Sequence, residues 1–383
     1  MACHHARKFG FMFRWKELKF SRYFKIDHVL VFLVLALSRG WLPEAGMGYS
    51  HAKGPNPNVS CLRRGLFSID CHSMQHFHFS QFQDSGHLMS LKREASQKIS
   101  VCIPTLNEAE TIGTIVRIIR SELMESIHLV DEILVIDSGS EDRTRAQASE
   151  AGAKVFLSEE IAPEHGSHQG KGENLWKALH VAQGNIVCYI DGDIANFHPG
   201  FITGLVGPLL TDPSIDYVKA YYERPLDRGE STLASGGGRV SEILLRPLIS
   251  LFFPELCGIL QPLSGEYAAR KSVLETLAFP TGYGVEIAHL IDLSEAGKLP
   301  NIAQTDLIKR IHRNRDDGEL GQMAFAILKV VLRRLERAGK LTLASPLPDL
   351  YQSWMVEKNN VQLISRNIPE PERAPIRSLT ERR

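Results

Sequence analysis

The chain has no excess of either charge: its 383 residues hold 44 Lys and Arg against 44 Asp and Glu. With no basic stripe to meet a row of phosphates, it does not read as a nucleic-acid-binding protein. Cysteine is scarce. The six thiols, Cys3, Cys61, Cys71, Cys102, Cys188 and Cys257, show no Cys-x-x-Cys spacing. The last three stand singly among apolar residues, which suits reduced, buried thiols in a cytoplasmic enzyme. There is also no apolar run of the about 20 residues that a bilayer span needs. Residues 29–37 are apolar but too few, and although a basic flank precedes them, Asp27 and His28 adjoin the run and no small-x-small cleavage site follows. No stable membrane insertion is expected. His72, His76, His78 and His87 lack Cys or carboxylate partners at ligand spacing, so they do not make a metal motif.

What is present is a chain with 43% hydrophobic and 23% charged residues, enough for one large domain or two small ones. Residues 1–95 carry scattered basic side chains and no sustained period; they read as a poorly ordered extension, with Met89 as the working start. From residue 99 the pattern changes. Residues 99–103, 133–136, 154–157 and 186–190 are short apolar runs of the kind that become strands buried on both faces. Between them, Ile112, Ile115, Ile118, Ile119 and Leu123 follow a helical period. Strand and helix alternating through short links predict an α/β fold with a mostly parallel sheet.

Two stretches carry chemistry. Asp191 and Asp193 flank Gly192 where the fourth strand ends, so both carboxylates can converge at the carboxyl edge of the sheet. Hard oxygens there suit Mg2+ or Mn2+ shared with substrate phosphates, although Asp-Gly-Asp is also ordinary turn chemistry. The three glycines Gly236, Gly237 and Gly238 open a run with helical apolar positions at Val240, Ile243, Leu244 and Leu248. A bare backbone loop entering a helix is a ready anion site, to which Arg239 adds a planar fork and Ser241 a hydroxyl.

Read in order, Pro104-Thr105-Leu106-Asn107-Glu108, Asp137-Ser138-Gly139-Ser140, Gly170-Lys171-Gly172 and Asp191-Gly192-Asp193 resemble a GT-A glycosyltransferase. Further on, Gly236-Gly237-Gly238-Arg239-Val240, Gln261-Pro262-Leu263-Ser264-Gly265-Glu266-Tyr267, Gly282-Tyr283-Gly284-Val285-Glu286 and His312-Arg313-Asn314-Arg315 resemble the glucosyl-3-phosphoglycerate synthases. The similarity runs over residues 97–335. It implies a GT-A nucleotide-sugar transferase fold, a Rossmann-like sheet flanked by helices with a C-terminal helical acceptor side. Residues 96–235 would bind the nucleotide sugar and residues 236–344 the acceptor, followed by a proline-rich, poorly ordered tail at 345–383.

The implied reaction is retaining transfer of glucose from UDP-glucose or GDP-glucose to the 2-hydroxyl of 3-phosphoglycerate. The alternatives are a mannosyl-3-phosphoglycerate synthase and a polyprenyl-phosphate sugar transferase. By the resemblance, Pro104, Leu106, Glu108, Ser138 and Lys171 serve the donor together with Asp191. Asp193 ligates the metal, with His312 as distal ligand. Gly238, Arg239, Ser241, Tyr283 and Asn314 serve the acceptor; Glu286 sits beside the donor sugar and Arg310 near the phosphates. A stripe of Leu320, Met323, Ala324, Ile327, Leu328, Val331 and Leu335 is expected to be a core or dimer face, and a homodimer is expected.

Overall fold

The computed structural model describes residues 74–223, 226–227, 232–233, 238–311, 317–357 and 360–380. Its main sheet has eight strands: β1 (Gln75–His78), β2 (Ile99–Thr105), β3 (Glu132–Asp137), β4 (Lys154–Leu157), β5 (Ile186–Tyr189), β6 (Tyr217–Glu223), β7 (Tyr267–Arg270) and β8 (Ile302–Lys309). Their order in space is β1-β8-β6-β7-β5-β2-β3-β4, and β7 alone runs antiparallel to its neighbours. The continuous apolar runs form strands because both faces are covered. Ile99, Val101, Ile103, Ile133 and Val135 enter one apolar layer; Cys102, Leu134, Ile136, Val187 and Tyr189 enter the other.

The first layer is closed by α2 (Ile112–Ile118), α3 (Thr144–Ala151) and α5 (Gly200–Thr211), which follow α1 (Ser85–Glu94) in the chain with α4 (Lys171–Val181) intervening. The second is closed by α4, α6 (Arg246–Phe252), α7 (Val285–Glu295) and α8 (Asp317–Arg337). Within α8, Ile327, Val331 and Leu335 are buried in this layer while Leu320 and Ala324 pack at its margin, so the expected stripe is a core face. Cys102 and Cys188 are buried free thiols, but Cys257 is exposed, which corrects the expectation for it. It follows a turn (Pro254–Leu256) whose Leu256 points inward, which leaves the next side chain outside.

The expected boundary at residue 95 does not hold. β1 pairs in parallel with β8, Leu88 of α1 is buried, and Phe82 packs so closely on α5 that a Cβ at Gly207 would collide with its ring. A four-residue edge strand reading Gln-His-Phe-His has too little apolar alternation to announce itself. The part of the expected extension at residues 1–73 lies outside the described residues. A chain beginning at Met89 would lose β1, Phe82 and Leu88. Burial lost at one Leu and one Phe costs about 5 kcal/mol or more, a large share of a typical domain's total stability. We expect its urea midpoint to fall well below that of the full chain; equal midpoints would show that β1 contributes nothing.

The segment after residue 345 is likewise not a loose tail. β9 (Leu350–Glu357) and β10 (Asn360–Asn367) form a hairpin, and Glu372–Arg373 pairs antiparallel with Phe279–Pro280. Arg373 bonds Glu173 of α4, and Trp176 Nε1 donates to Ala374 O at 3.0 Å. The prolines there lie in the links between these contacts and do not prevent them.

Candidate active site

Charged side chains from several segments meet at the carboxyl edge beyond β5. Asp191 and Asp193 leave that strand through Gly192, whose carbonyl accepts from Thr111 Oγ1 at 2.5 Å. Lys171 is the first residue of α4, and its Nζ lies 2.6 Å from Asp191 Oδ1 and 2.8 Å from Glu286 Oε1. Glu286 stands in the first turn of α7 and is buried. Arg310 follows β8; one terminal nitrogen lies 3.0 Å from Asp191 Oδ2 and 2.5 Å from Asp193 Oδ1. Its other terminal nitrogen donates to the Tyr222 hydroxyl at 3.2 Å and lies 3.4 Å from Glu266 Oε1. Gly265 lets the backbone come close to the pair, since a Cβ there would displace Asp191 and Lys171.

The electrostatics follow from this packing. Burial disfavours the Lys171 ammonium, but Asp191 and then Glu286 outweigh it and hold its pKa above the usual lysine range. Burial acts against Arg310 too, and Glu266 leads the groups that more than compensate. The Glu266 carboxyl is pushed up by burial, with Arg310 opposing. Backbone strain helps aim Arg310. The β8–β6 pairing shifts register between Asp306 and Lys309, and Ile308, a β-branched residue, takes a φ of 66°. Such a bulge at a strand end re-aims the side chains that follow.

Two neighbouring loops are held from a distance. Gly170 and Gly172 flank Lys171 because α4 starts against the backbone of Pro280, Thr281 and Gly282: Gly172 N–H donates to Gly282 O at 3.2 Å and Glu173 N–H to Thr281 O at 2.9 Å. These glycines serve that close approach within the protein. The loop carrying Tyr283 is fastened from the far end of the chain, where Glu370 accepts from Gly282 N–H at 3.0 Å and Gly284 N–H at 3.3 Å.

On the expected donor side, Pro104 lies in β2, Leu106 is exposed, and Glu108 lies against Gly192 with its N–H donating to Thr144 Oγ1 at 2.7 Å. Buried Asp137 shapes the neighbouring loop by accepting from the N–H groups of Gly139 and Ser140. Ser138 Oγ donates to Asn174 Oδ1 at 3.0 Å. On the expected acceptor side, Gly238 has a φ of 86°, which suits glycine. Arg239 opens the following helical turn and pairs with Asp317 at the start of α8; Ser241 is buried. His312 and Asn314 lie outside the described residues. Ile311, just before them, donates its N–H to Asn196 Oδ1 at 2.7 Å and accepts from Ala195 N–H at 2.9 Å, beside the Asp193 loop.

Residues 100–277 match glycosyl transferase family 2. The glucosyl-3-phosphoglycerate synthase of Petrotoga mobilis is 51% identical over 305 residues, 80% of this chain and 94% of that protein. The chain belongs to the glucosyl-3-phosphoglycerate synthase family. It is a glycosyltransferase with the GT-A architecture. A solved mannosyl-3-phosphoglycerate synthase from Rubrobacter xylanophilus superposes with a TM-score of 0.72 at 36% identity, covering 80% of this chain and 96% of that one. The Mycobacterium tuberculosis glucosyl-3-phosphoglycerate synthase, solved with Mn2+, UDP-glucose and phosphoglyceric acid, superposes with a TM-score of 0.68 at 37% identity, covering 80% and 99%. That enzyme has also been solved with Mg2+ and UDP.

Against this family background, the structure gathers Lys171, Asp191, Asp193, Glu286 and Arg310 into one cluster, and it adds residues that sequence reasoning left without a role. Glu266 and Tyr222 complete the setting of Arg310. Glu266 stood in a quoted motif, so a signal existed; Tyr222, in an ordinary-looking strand, had none. Asp191 and Asp193 offer hard oxygens at partly exposed positions beside two cations, a donor set that fits Mg2+ or Mn2+. Among the described residues no helix is long and apolar enough to cross a membrane.

Proposed function

We propose that the protein transfers glucose from UDP-glucose to the 2-hydroxyl of 3-phosphoglycerate with retention at the anomeric carbon, acting in the cytoplasm. The observation that carries this reading is the charged cluster at the sheet edge. There a carboxylate pair, a further carboxylate in Glu286 and two fixed cations meet, in a chain 51% identical to a glucosyl-3-phosphoglycerate synthase. Pro104, Leu106, Glu108 and Ser138 hold the uridine. Asp193, assisted by Asp191 and with His312 as distal ligand, holds Mg2+ or Mn2+, which when bound supplies charge neutralisation to the diphosphate.

Lys171 and Arg310 are fixed donors aimed where negative charge grows as the diphosphate departs, so they need no reorganisation at the moment of reaction. Glu286 orients the sugar hydroxyls while the acceptor hydroxyl enters from the face that the diphosphate leaves. Gly238, Arg239 and Ser241 take the anionic groups of 3-phosphoglycerate, with Tyr283 and Asn314 alongside. The product is a glucosylated phosphoglycerate, a precursor of glucosylglycerate-type solutes.

Purified protein given UDP-glucose, 3-phosphoglycerate and Mn2+ should form a product whose mass equals acceptor plus one hexosyl residue, with an α-configured anomeric proton by NMR. Hexosyl transfer to a polyprenyl phosphate and none to 3-phosphoglycerate would refute the assignment. A β-configured product would refute retention.

A further inference from the structure

Behind Glu286, on the sheet face that α7 covers, lies a row of polar side chains with no part in the reaction outlined above. Lys219 on β6 and Tyr189 on β5 pair in register with Tyr267 of β7, and Tyr217 stacks on Tyr267 with ring centroids 5.1 Å apart. All four are buried. His289, on α7 nearly one turn beyond Glu286, meets Tyr267 edge-on from above. The hydroxyls of Tyr217 and Tyr267 and both ring nitrogens of His289 are buried without a protein partner. Lys219 Nζ donates to Ser264 O at 2.6 Å and lies 5.1 Å from the centre of the Tyr267 ring, although an ammonium carries three donors.

Orphaned polar groups gathered in one place call for internal water. An apolar side chain at 219 would also spare the fold the cost of desolvating an ammonium. That cost is real: burial pushes the Lys219 pKa down to about 7, and Glu286 is the charge that most opposes the fall. The bond from Lys219 reaches a turn of consequence. Ser264 Oγ donates to Ala220 O at 2.7 Å, Gly265 abuts Asp191 and Lys171, and Glu266 supports Arg310.

We propose that Lys219 is a positioning residue for glycosyl transfer, its ammonium holding the turn at residues 264–266 and, through internal water shared with Tyr217, Tyr267 and His289, the Glu286 carboxylate. The proposal rests on the functional reading above. Lys219 acts through the turn behind Asp191, Lys171 and Arg310 and through Glu286, so the uridine contacts at Pro104, Leu106, Glu108 and Ser138 and the acceptor loop are independent of it.

The test compares wild type with Lys219→Met, which keeps an unbranched chain as far as the ε position and removes the ammonium, and with Tyr267→Phe, which removes one hydroxyl. The wild-type rate is measured first and tests the substrate reading alone; the ratios of the variants to it test Lys219. Because small misplacements of reacting groups can cost about a hundredfold in rate, Lys219→Met should lower kcat at least about 30-fold. Uridine affinity by calorimetry and the KM for 3-phosphoglycerate should stay within about threefold, as expected when only contacts at the reacting end are lost. Tyr267→Phe should lower kcat about three- to tenfold by disturbing the shared water. A Lys219→Met kcat near the wild-type value, or a parallel collapse of uridine binding and kcat, would overturn the proposal. Should Lys219→Met fail to fold, an unchanged kcat in Tyr267→Phe would overturn it and the expected loss would support it.

Discussion

Asp193→Ala abolishes measurable transfer at any practical Mn2+ concentration, whereas Asp191→Ala leaves a trace; that is the expected result for a metal ligand beside its helper. Loss of one fixed electrostatic contact to a developing charge costs about 10²–10³ in kcat. Loss of the ion's principal anchor should exceed that. The two variants should also differ in stability, in the opposite order. Asp191 is shared by Lys171 and Arg310, so its removal takes a partner from two cations, leaving Lys171 with Glu286 and Arg310 with Asp193 and Glu266. Asp193 contacts Arg310 alone of the two, and Arg310 keeps Asp191 and Glu266 without it. Product formation across a Mn2+ titration, run beside thermal unfolding, separates the effects. Equal, mild losses of activity in both variants would mean that the pair is only a turn.

The second large effect is expected at the acceptor loop: Arg239→Ala raises the apparent KM for 3-phosphoglycerate while UDP-glucose binding stays near normal. A hydrogen bond to a charged group contributes about 1.5–3 kcal/mol, so losing a bidentate fork should raise KM about ten- to a hundredfold or more. The ion pair with Asp317 at the start of α8 keeps the fork at the surface, 36% exposed, where an acceptor phosphate can compete with that carboxylate. Arg239→Lys should recover only part of the loss, because a point charge keeps the attraction without the planar geometry. Steady-state kinetics with each substrate varied in turn decide the matter. A collapse of UDP-glucose binding with unchanged dependence on 3-phosphoglycerate would assign the glycine loop to the donor diphosphate instead.

How far the sequence could be read depended on how each residue meets solvent. Ile99–Thr105, Glu132–Asp137 and Ile186–Tyr189 were legible because burial on both faces writes them as apolar runs, and the edge strand Lys154–Leu157, though only partly covered, keeps three apolar residues in a row and appears with the expected ends. β1 was not, since its side chains are only half covered at one edge of the sheet. The β9–β10 hairpin was hidden for another reason: Trp354, Val356 and Val361 are exposed, so no core-facing alternation marks it, and flanking prolines suggested disorder. The carboxylate pair, Lys171, Glu286 and Arg310 could be named from motifs. Most of their mutual ion pairs could not, because those of Lys171 with Glu286 and of Arg310 with Asp191 and Asp193 join residues more than a hundred positions apart. Lys219 sat in a Tyr-Val-Lys-Ala-Tyr-Tyr run, where a lysine would ordinarily be read as facing water.

The fastening of the Gly282–Gly284 backbone by Glu370, and of α4 by Arg373, has a bearing on biosynthesis. Lys171, Asp191, Glu286 and Arg310 all leave the ribosome well before those two residues, and domains fold as their segments emerge. The sheet can therefore assemble during translation, but the loop leading into Glu286 gains its clasp only when Glu370 has emerged. A nascent chain stalled short of residue 370 would hold every acid and base of the cluster and still lack the part that sets one of them in place. The setting of Glu286 in this protein is thus timed by the emergence of a residue made well after it.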